Sequence, residues 1–200
     1  MPRLSTEERK EQIINEAITI IHEEGYSALS IRELSGRVGI SEPAIYRHFE
    51  NKEAIILGIL DKMKNLGIYI KEKLHSIPDA KERIIHFVLF HYEFLEKKPE
   101  MTSVLFSDEI FDHNPVLEKK FNEVMGQRWN ILTGLIDDLK TGGVDIDHDT
   151  EDLSLILLGL LRMTVLQWKR SGFDYSLKER GKRVIDTLLN TGFLSPGQSG

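Results

Sequence analysis

Tyr46, Arg47 and His48 stand side by side in "GISEPAIYRHFENK", the stretch from Gly39 to Lys52. A phenol, a guanidinium and an imidazole in a row form a set of hydrogen-bond donors suited to an anion. Tyr46 and His48 can donate to phosphate oxygens, and Lys52 adds a charge at the start of the next helix, whose free amides also favour an anion. Arg47, with Arg32 upstream, carries the fork that fits a guanine O6/N7 edge. Glu42 either accepts from a cytosine N4 or acts only as a helix N-terminal charge, and Pro43 or Ala44 can touch a thymine methyl. This is the chemistry of recognition, with nothing in it that breaks a bond.

Such a row must be held by structure outside itself, because a helix of barely two turns is unstable alone in water. Ser41 stands where it can cap that helix and Pro43 lies in its first turn, where a missing N–H does no harm. The helix before it opens at Ser30, places Ile31, Leu34 and Val38 at i, i+3 and i+7, and stops at Gly39. Ile40, Ile45 and Phe49 are expected to face inward onto Leu34, Val38 and the first helix. Two helices joined by so short a turn, with glycine at its head, have helix-turn-helix geometry, which presents the second helix to the major groove of DNA.

The run "GYSALSIRELSGRVGISEPAIYRHFENKEAI" resembles the DNA-binding domain of the TetR-type (tetracycline-repressor-like) regulators over about residues 8–60. Its spacing is demanding: Gly25, the Gly39–Ile40–Ser41 turn, Tyr46, His48–Phe49, then Lys52. The resemblance implies that Ser41, Tyr46, His48 and Lys52 hold the phosphate backbone, while Arg32, Glu42, Pro43, Ala44 and Arg47 reach toward bases. Ser35 stands where that family usually has a small alanine. Gly36 sits inside the second helix, at a cost of about 1 kcal/mol relative to alanine.

The remaining punctuation is helical, which makes the fold class all-α. A Ser5/Glu8 capping box opens a first helix over about Thr6–Glu24, and Asn51 caps a long fourth one reaching about Leu74. Asp79 to Lys97, Met101 to Phe111, Pro115 to Lys140 and Asp149 or Thr150 to Arg170 follow. A last helix runs from the Ser176/Glu179 box to Gly192. Nine helices are expected, in the TetR-like layout of an N-terminal three-helix DNA-binding domain and a helical C-terminal domain for ligand binding and dimerisation. By residue, 1–52 form the first domain, the fourth helix (about 52–74) links the two, 53–194 form the second, and 195–200 read as a disordered tail. No period-2 run bounded by hairpin turns is present.

Composition excludes several classes. With no cysteine, disulfides, thiol nucleophiles and cysteine–zinc sites are ruled out. A formal charge of −6 argues against a generic nucleic-acid coat, so any DNA contact rests on where the cations sit rather than on their number. The start "MPRLSTEERK" lacks a signal-peptide apolar core, and the expected location is cytoplasmic.

In the larger domain no catalytic constellation, cofactor motif or metal site stands out. Asp145, Asp147 and Asp149 alternate as in a calcium loop, but Thr150 and Ile156 stand where an EF-hand needs glycine and glutamate. Glu109, Asp112 and His113 are better explained as a charged helix end than as a metal corner. The middle helices are unusually rich in large apolar residues. Phe87, Phe90, His91, Phe94, Phe106, Phe121, Met125 and Trp129 are the candidates for a pocket around a small, largely apolar effector, with His91, Tyr92 and Gln127 as polar anchors. "LSLILLGLLRMTVLQW" is apolar on more than one stripe, beyond what a surface helix needs. Leu153, Ile156, Leu157 and Leu160, with Val184 and Leu188 of the last helix, are the candidate dimer interface. The resemblance completes the reading: a repressor that binds a palindromic operator as a homodimer and is released by its effector. An effector-independent DNA-binding role and a helical enzyme or carrier are the alternatives.

Overall fold

A computed structural model describes residues 4–112, 114–143, 146 and 148–190. Among these it contains ten α-helices and no strand: α1 (Thr6–Glu24), α2 (Ile31–Val38), α3 (Glu42–Tyr46), α4 (Lys52–His75), α5 (Ala80–Lys97), α6 (Met101–Leu105), α7 (Asp108–Phe111), α8 (Pro115–Thr141), α9 (Thr150–Arg170) and α10 (Leu177–Asn190). The all-α expectation stands, but the ninefold count does not. The segment expected as one helix over Met101–Phe111 is two, because Ser107 turns extended (φ −98°, ψ 106°) and interrupts the i→i−4 ladder. The expected tail at 195–200, the last helix's stop at Gly192 and the candidates His113, Asp145 and Asp147 all lie outside the described residues.

Local chemistry sets most of the boundaries. Ser5 Oγ accepts from the Glu8 N–H at 3.2 Å while the Ser5 N–H donates to Glu8 Oε2 at 2.8 Å, a complete capping box. Those bonds hold the Glu8 carboxyl below the usual range. Ser30, Asn51, Asp79 and Asp149 each accept from a first-turn N–H of α2, α4, α5 and α9 respectively.

The chain packs as two compact units, Met1–Asn65 with Glu100–Val124, and Leu66–Pro99 with Met125–Gly200. Chain order suggested a division at residue 52. Packing also draws α6, α7 and the start of α8 into the unit that holds α1–α3. In this first unit Ile13, Ala17, Ile20, Leu34, Ile45, Ile55 and Ile59 have no exposed surface. His22 Nδ1 bonds Ser103 Oγ at 3.0 Å, Asn114 Nδ2 donates to Glu53 Oε2 at 2.7 Å, and Lys120 pairs with Asp61 at 2.6 Å.

In the second unit α5, α9 and α10 bury Ile84, Val88, Tyr92, Leu157, Val165, Leu177 and Ile185. Gly181 is the tightest point: a Cβ there would stand 1.9 and 2.1 Å from Cε2 and Cδ2 of Tyr92, whose side chain is fully buried. The absence of a side chain at 181 is therefore what lets α10 approach α5. Gly181→Ala is expected to cost roughly 1–3 kcal/mol through overpacking, or more if the ring cannot swing away. A melt followed by circular dichroism should fall by about 2–4 °C per kcal/mol for a chain of this size. Tyr92→Leu on top of Gly181→Ala should recover part of the loss; an unchanged melt for Gly181→Ala refutes the packing reading.

Candidate nucleic-acid interface

The α2–α3 turn is set by one residue. Gly39 takes the left-handed conformation (φ 74°, ψ 34°), and its N–H and that of Ile40 both donate to the Ser35 carbonyl, at 3.0 and 3.1 Å. The chain then restarts at Ser41, whose backbone is extended and whose carbonyl accepts from Ala44 and Ile45 at 2.8 and 3.2 Å. Its hydroxyl makes no cap bond, contrary to expectation, and Ser41 lies on the exposed side. Ile45 and Phe49 are buried with Leu34 and Val38, as the bracing of so short a helix requires, whereas Ile40 is only half-buried.

With that inner face anchored, Arg32, Ser41, Glu42, Pro43, Tyr46 and Arg47 are all exposed, and Ala44 is half-buried. Tyr46 is 52% exposed, so its hydroxyl is open to a partner. Tyr46 and Arg47 are adjacent on α3 and its C-terminal cap. His48 is half-buried, and its Nδ1 is sealed with no hydrogen-bond partner. Burial, then the nearby charges of Arg9, Lys10 and Arg47, push its pKa down, so it is neutral at pH 7 and brings no charge to the face. Lys52 is engaged elsewhere: its ammonium donates to the Tyr26 carbonyl at 2.8 Å and sits 3.6 Å above the Tyr26 ring.

Two cations escaped the sequence reading as members of this face. The charges of Arg9 and Lys10 on α1 help to hold the His48 pKa down. Their signal was only a basic pair in the first helix, and its neighbour is set by tertiary packing. Arg37 is the opposite case. It bonds Glu33 at 3.0 Å, Glu23 at 2.6 Å and also Glu24, so its charge is spent on fastening α2 to the end of α1.

The other candidates separate on folding. Phe87 and His91 are buried together in the second unit, with ring centroids 4.6 Å apart, and Phe90, Phe94, Met125 and Trp129 are half-buried in that unit. Phe106 and Phe121 belong to the first unit, where Phe121 stacks on Phe111 at 4.2 Å. Arg128, beside Gln127, was missed: a charged residue in an apolar stretch reads as solvated surface, yet its Nε is buried without a partner. Among the described residues no group of three or more His, Asp or Glu side chains could hold a metal ion.

On α9 two of the expected interface residues are corrected. Leu153 and Leu157 are 1% and 0% exposed within the single chain, because that stripe faces α9's own core. The outward stripe carries Leu155, Ile156 and Met163, all exposed. Half-buried Leu160 lines a shallow groove with Val184 and Leu188 of α10. No helix among the described residues is long and apolar enough to cross a membrane.

Comparison with known proteins matches these geometries at both ends of the chain. Residues 13–59 match the family described as bacterial regulatory proteins, tetR family, and residues 59–191 match the YsiA-like protein, C-terminal region. A fatty acid metabolism regulator protein of Bacillus subtilis is 24% identical over 181 residues, covering 90% of this chain and 93% of that one. The solved structure of the transcriptional regulator FadR from Bacillus subtilis in complex with stearoyl-CoA superposes with a TM-score of 0.79 at 25% identity, covering 91% and 98% of the two chains. The nucleoid occlusion factor SlmA of Vibrio atlanticus is 26% identical over 174 residues, 86% of this chain and 89% of that protein. The chain belongs to the TetR family of bacterial regulatory proteins, DNA-binding regulators of transcription and not enzymes.

Proposed function

We propose that the protein is a cytoplasmic, ligand-responsive repressor that binds a palindromic operator as a homodimer and is released by a small, largely apolar effector of acyl character. The observation that carries the DNA half is the braced α3 with Tyr46 and Arg47 exposed beside Glu42 and Pro43. On and around it Arg47, Arg32, Glu42, Pro43 and Ala44 read base edges, while Ser41, Tyr46, His48 and Arg9 meet the phosphates. Lys52 would have to give up the Tyr26 carbonyl to join them. A homodimer suits the task, since one short helix reads few base pairs and a two-fold axis doubles them. The effector half is supported by the aromatic side chains of α5 and α8 and by the Bacillus subtilis relative solved with stearoyl-CoA.

Calorimetry with stearoyl-CoA and related acyl compounds, with and without operator DNA, tests the switch. An effector should lower operator affinity by a factor of about 5–150, and operator should lower effector affinity by the same factor, because the coupling is reciprocal. Equal effector affinity in both titrations would remove the switch. It would favour a second reading, an effector-independent DNA-binding role; the chain is also similar to a protein named a nucleoid occlusion factor.

A further inference from the structure

Among the described residues, five side chains of the second unit have a nitrogen or oxygen sealed from solvent without a hydrogen-bond partner: Arg83 Nε, His91 Nε2, Tyr92 Oη, Gln127 Oε1 and Arg128 Nε. Three of them, His91, Gln127 and Arg128, lie on α5 and α8 of that unit, and the Arg128 charge bears on the His91 imidazole. His91 stands on α5 with Phe87 and Phe90, and Gln127 and Arg128 stand on α8 between Met125 and Trp129. The Gln127 amide lies against the bare backbone of Gly67 on α4, where a Cβ would meet its Oε1 at 2.8 Å. From this geometry we propose a binding site for the head of a long-chain carboxylate, with Arg128 as its counter-ion and His91 and Gln127 as its polar neighbours. The proposal rests on the effector reading above and names the polar end of that effector.

The guanidinium is the reason. Its one recorded side-chain contact is Nη1 to the sulfur of Met125 at 3.8 Å, and no carboxylate among the described residues pairs with it. Burial alone pulls its pKa down to about 10, with no acidic group opposing the shift. An unpaired buried cation is costly, and removing the need for it by an apolar side chain is often stabilising. A chain that keeps one is paying in stability for something the free protein lacks. Part of the Arg128 side chain retains accessible surface although protein encloses the charged group on nearly every side.

The neighbours narrow the ligand. His91 Nδ1 is 2.7 Å from the Phe87 carbonyl, which can only accept, so Nδ1 carries the proton and Nε2 is a free acceptor. Burial first, then the Arg128 charge, hold this imidazole down to about 3, so it is neutral at any working pH. The cluster therefore offers one positive charge, which matches a carboxylate and falls short of a phosphate dianion or the several charges of a coenzyme A thioester. His91 Nε2 and Gln127 Oε1 need donors, which a water or hydroxyl beside the carboxylate supplies. Phe87, Phe90, Phe94, Met125 and Trp129 give the alkyl chain an apolar wall in the same unit.

The test uses the full chain and three probes of equal chain length: decanoate, decan-1-ol and decanoyl-CoA. By calorimetry the parent should bind decanoate at least about tenfold more tightly than the alcohol. Arg128→Met should cut decanoate affinity roughly 10- to 100-fold, as loss of a charge-assisted hydrogen bond does, and leave the alcohol nearly unchanged. Arg128→Lys should retain part of the preference. The ligand-free Arg128→Met protein should melt higher than the parent, the reverse of what a structural ion pair would show. Equal binding of acid and alcohol, no decanoate binding at millimolar concentration, or an acid preference that survives Arg128→Met overturns the site. Arg128-dependent decanoate binding that leaves operator affinity unmoved sinks the effector reading and keeps the site. An operator response to decanoyl-CoA alone does the reverse.

Discussion

Leu160→Glu should yield a monomer in sedimentation and drop operator affinity to the non-specific level, about a thousandfold or more. The outward stripe of α9 exposes Leu155 (62%), Ile156 (44%) and Met163 (53%), a large apolar area for a free helix face. Leu160 lies next to it and lines the groove with Val184 and Leu188 of α10. A two-fold interface built there meets the same residue on both sides, so one substitution buries two uncompensated carboxylates. The fold should survive, because Leu160 keeps exposed surface while Leu153 and Leu157 carry the core. The monomer should therefore melt as an intact helical chain while losing the paired reading of two half-sites. Leu188→Glu should do the same. A parent protein that sediments as a monomer at micromolar concentration removes both the interface and the palindrome.

Arg47→Ala should relax sequence preference at particular base positions by about 1–3 kcal/mol per half-site, and twice that for a dimer on a palindrome. Arg47 is exposed at the C-terminal end of α3 and, unlike Arg37, pairs with no carboxylate among the described residues. Tyr46→Phe, by contrast, removes one donor and should weaken all DNA sequences alike, by roughly 0.5–1.5 kcal/mol. A competition assay over variant operators separates the two. Tyr46→Phe shifting the preferred sequence, with Arg47→Ala leaving it untouched, would exchange their roles.

Where the determinants are local, the chain could be read directly. Ser5 with Glu8, Ser30, Asn51, Asp79 and Asp149 all cap helices where their spacing placed them, because a cap bond joins residues three apart and owes little to the rest of the fold. The α2–α3 turn follows from Gly39 alone, since it needs a positive φ that glycine adopts without strain. Ile45 and Phe49 were legible as the inner face because a helix that short must bury whatever is apolar on it. Local spacing thus carried the all-α fold and its N-terminal helix-turn-helix.

Tertiary structure decided everything that depends on which neighbour a side chain meets. Period 3.6 defines two apolar stripes on α9 and says nothing about which faces inward, so Leu153 and Leu157 changed sides only when the core closed on them. Lys52 lost its freedom to the carbonyl of a residue 26 positions away, and the charges of Arg9 and Lys10 came to bear on His48 by the packing of α1. Arg128 shows the same limit in energetic form. Its cost arises from desolvation without a counter-charge, a property of the surrounding volume that no spacing along the chain encodes.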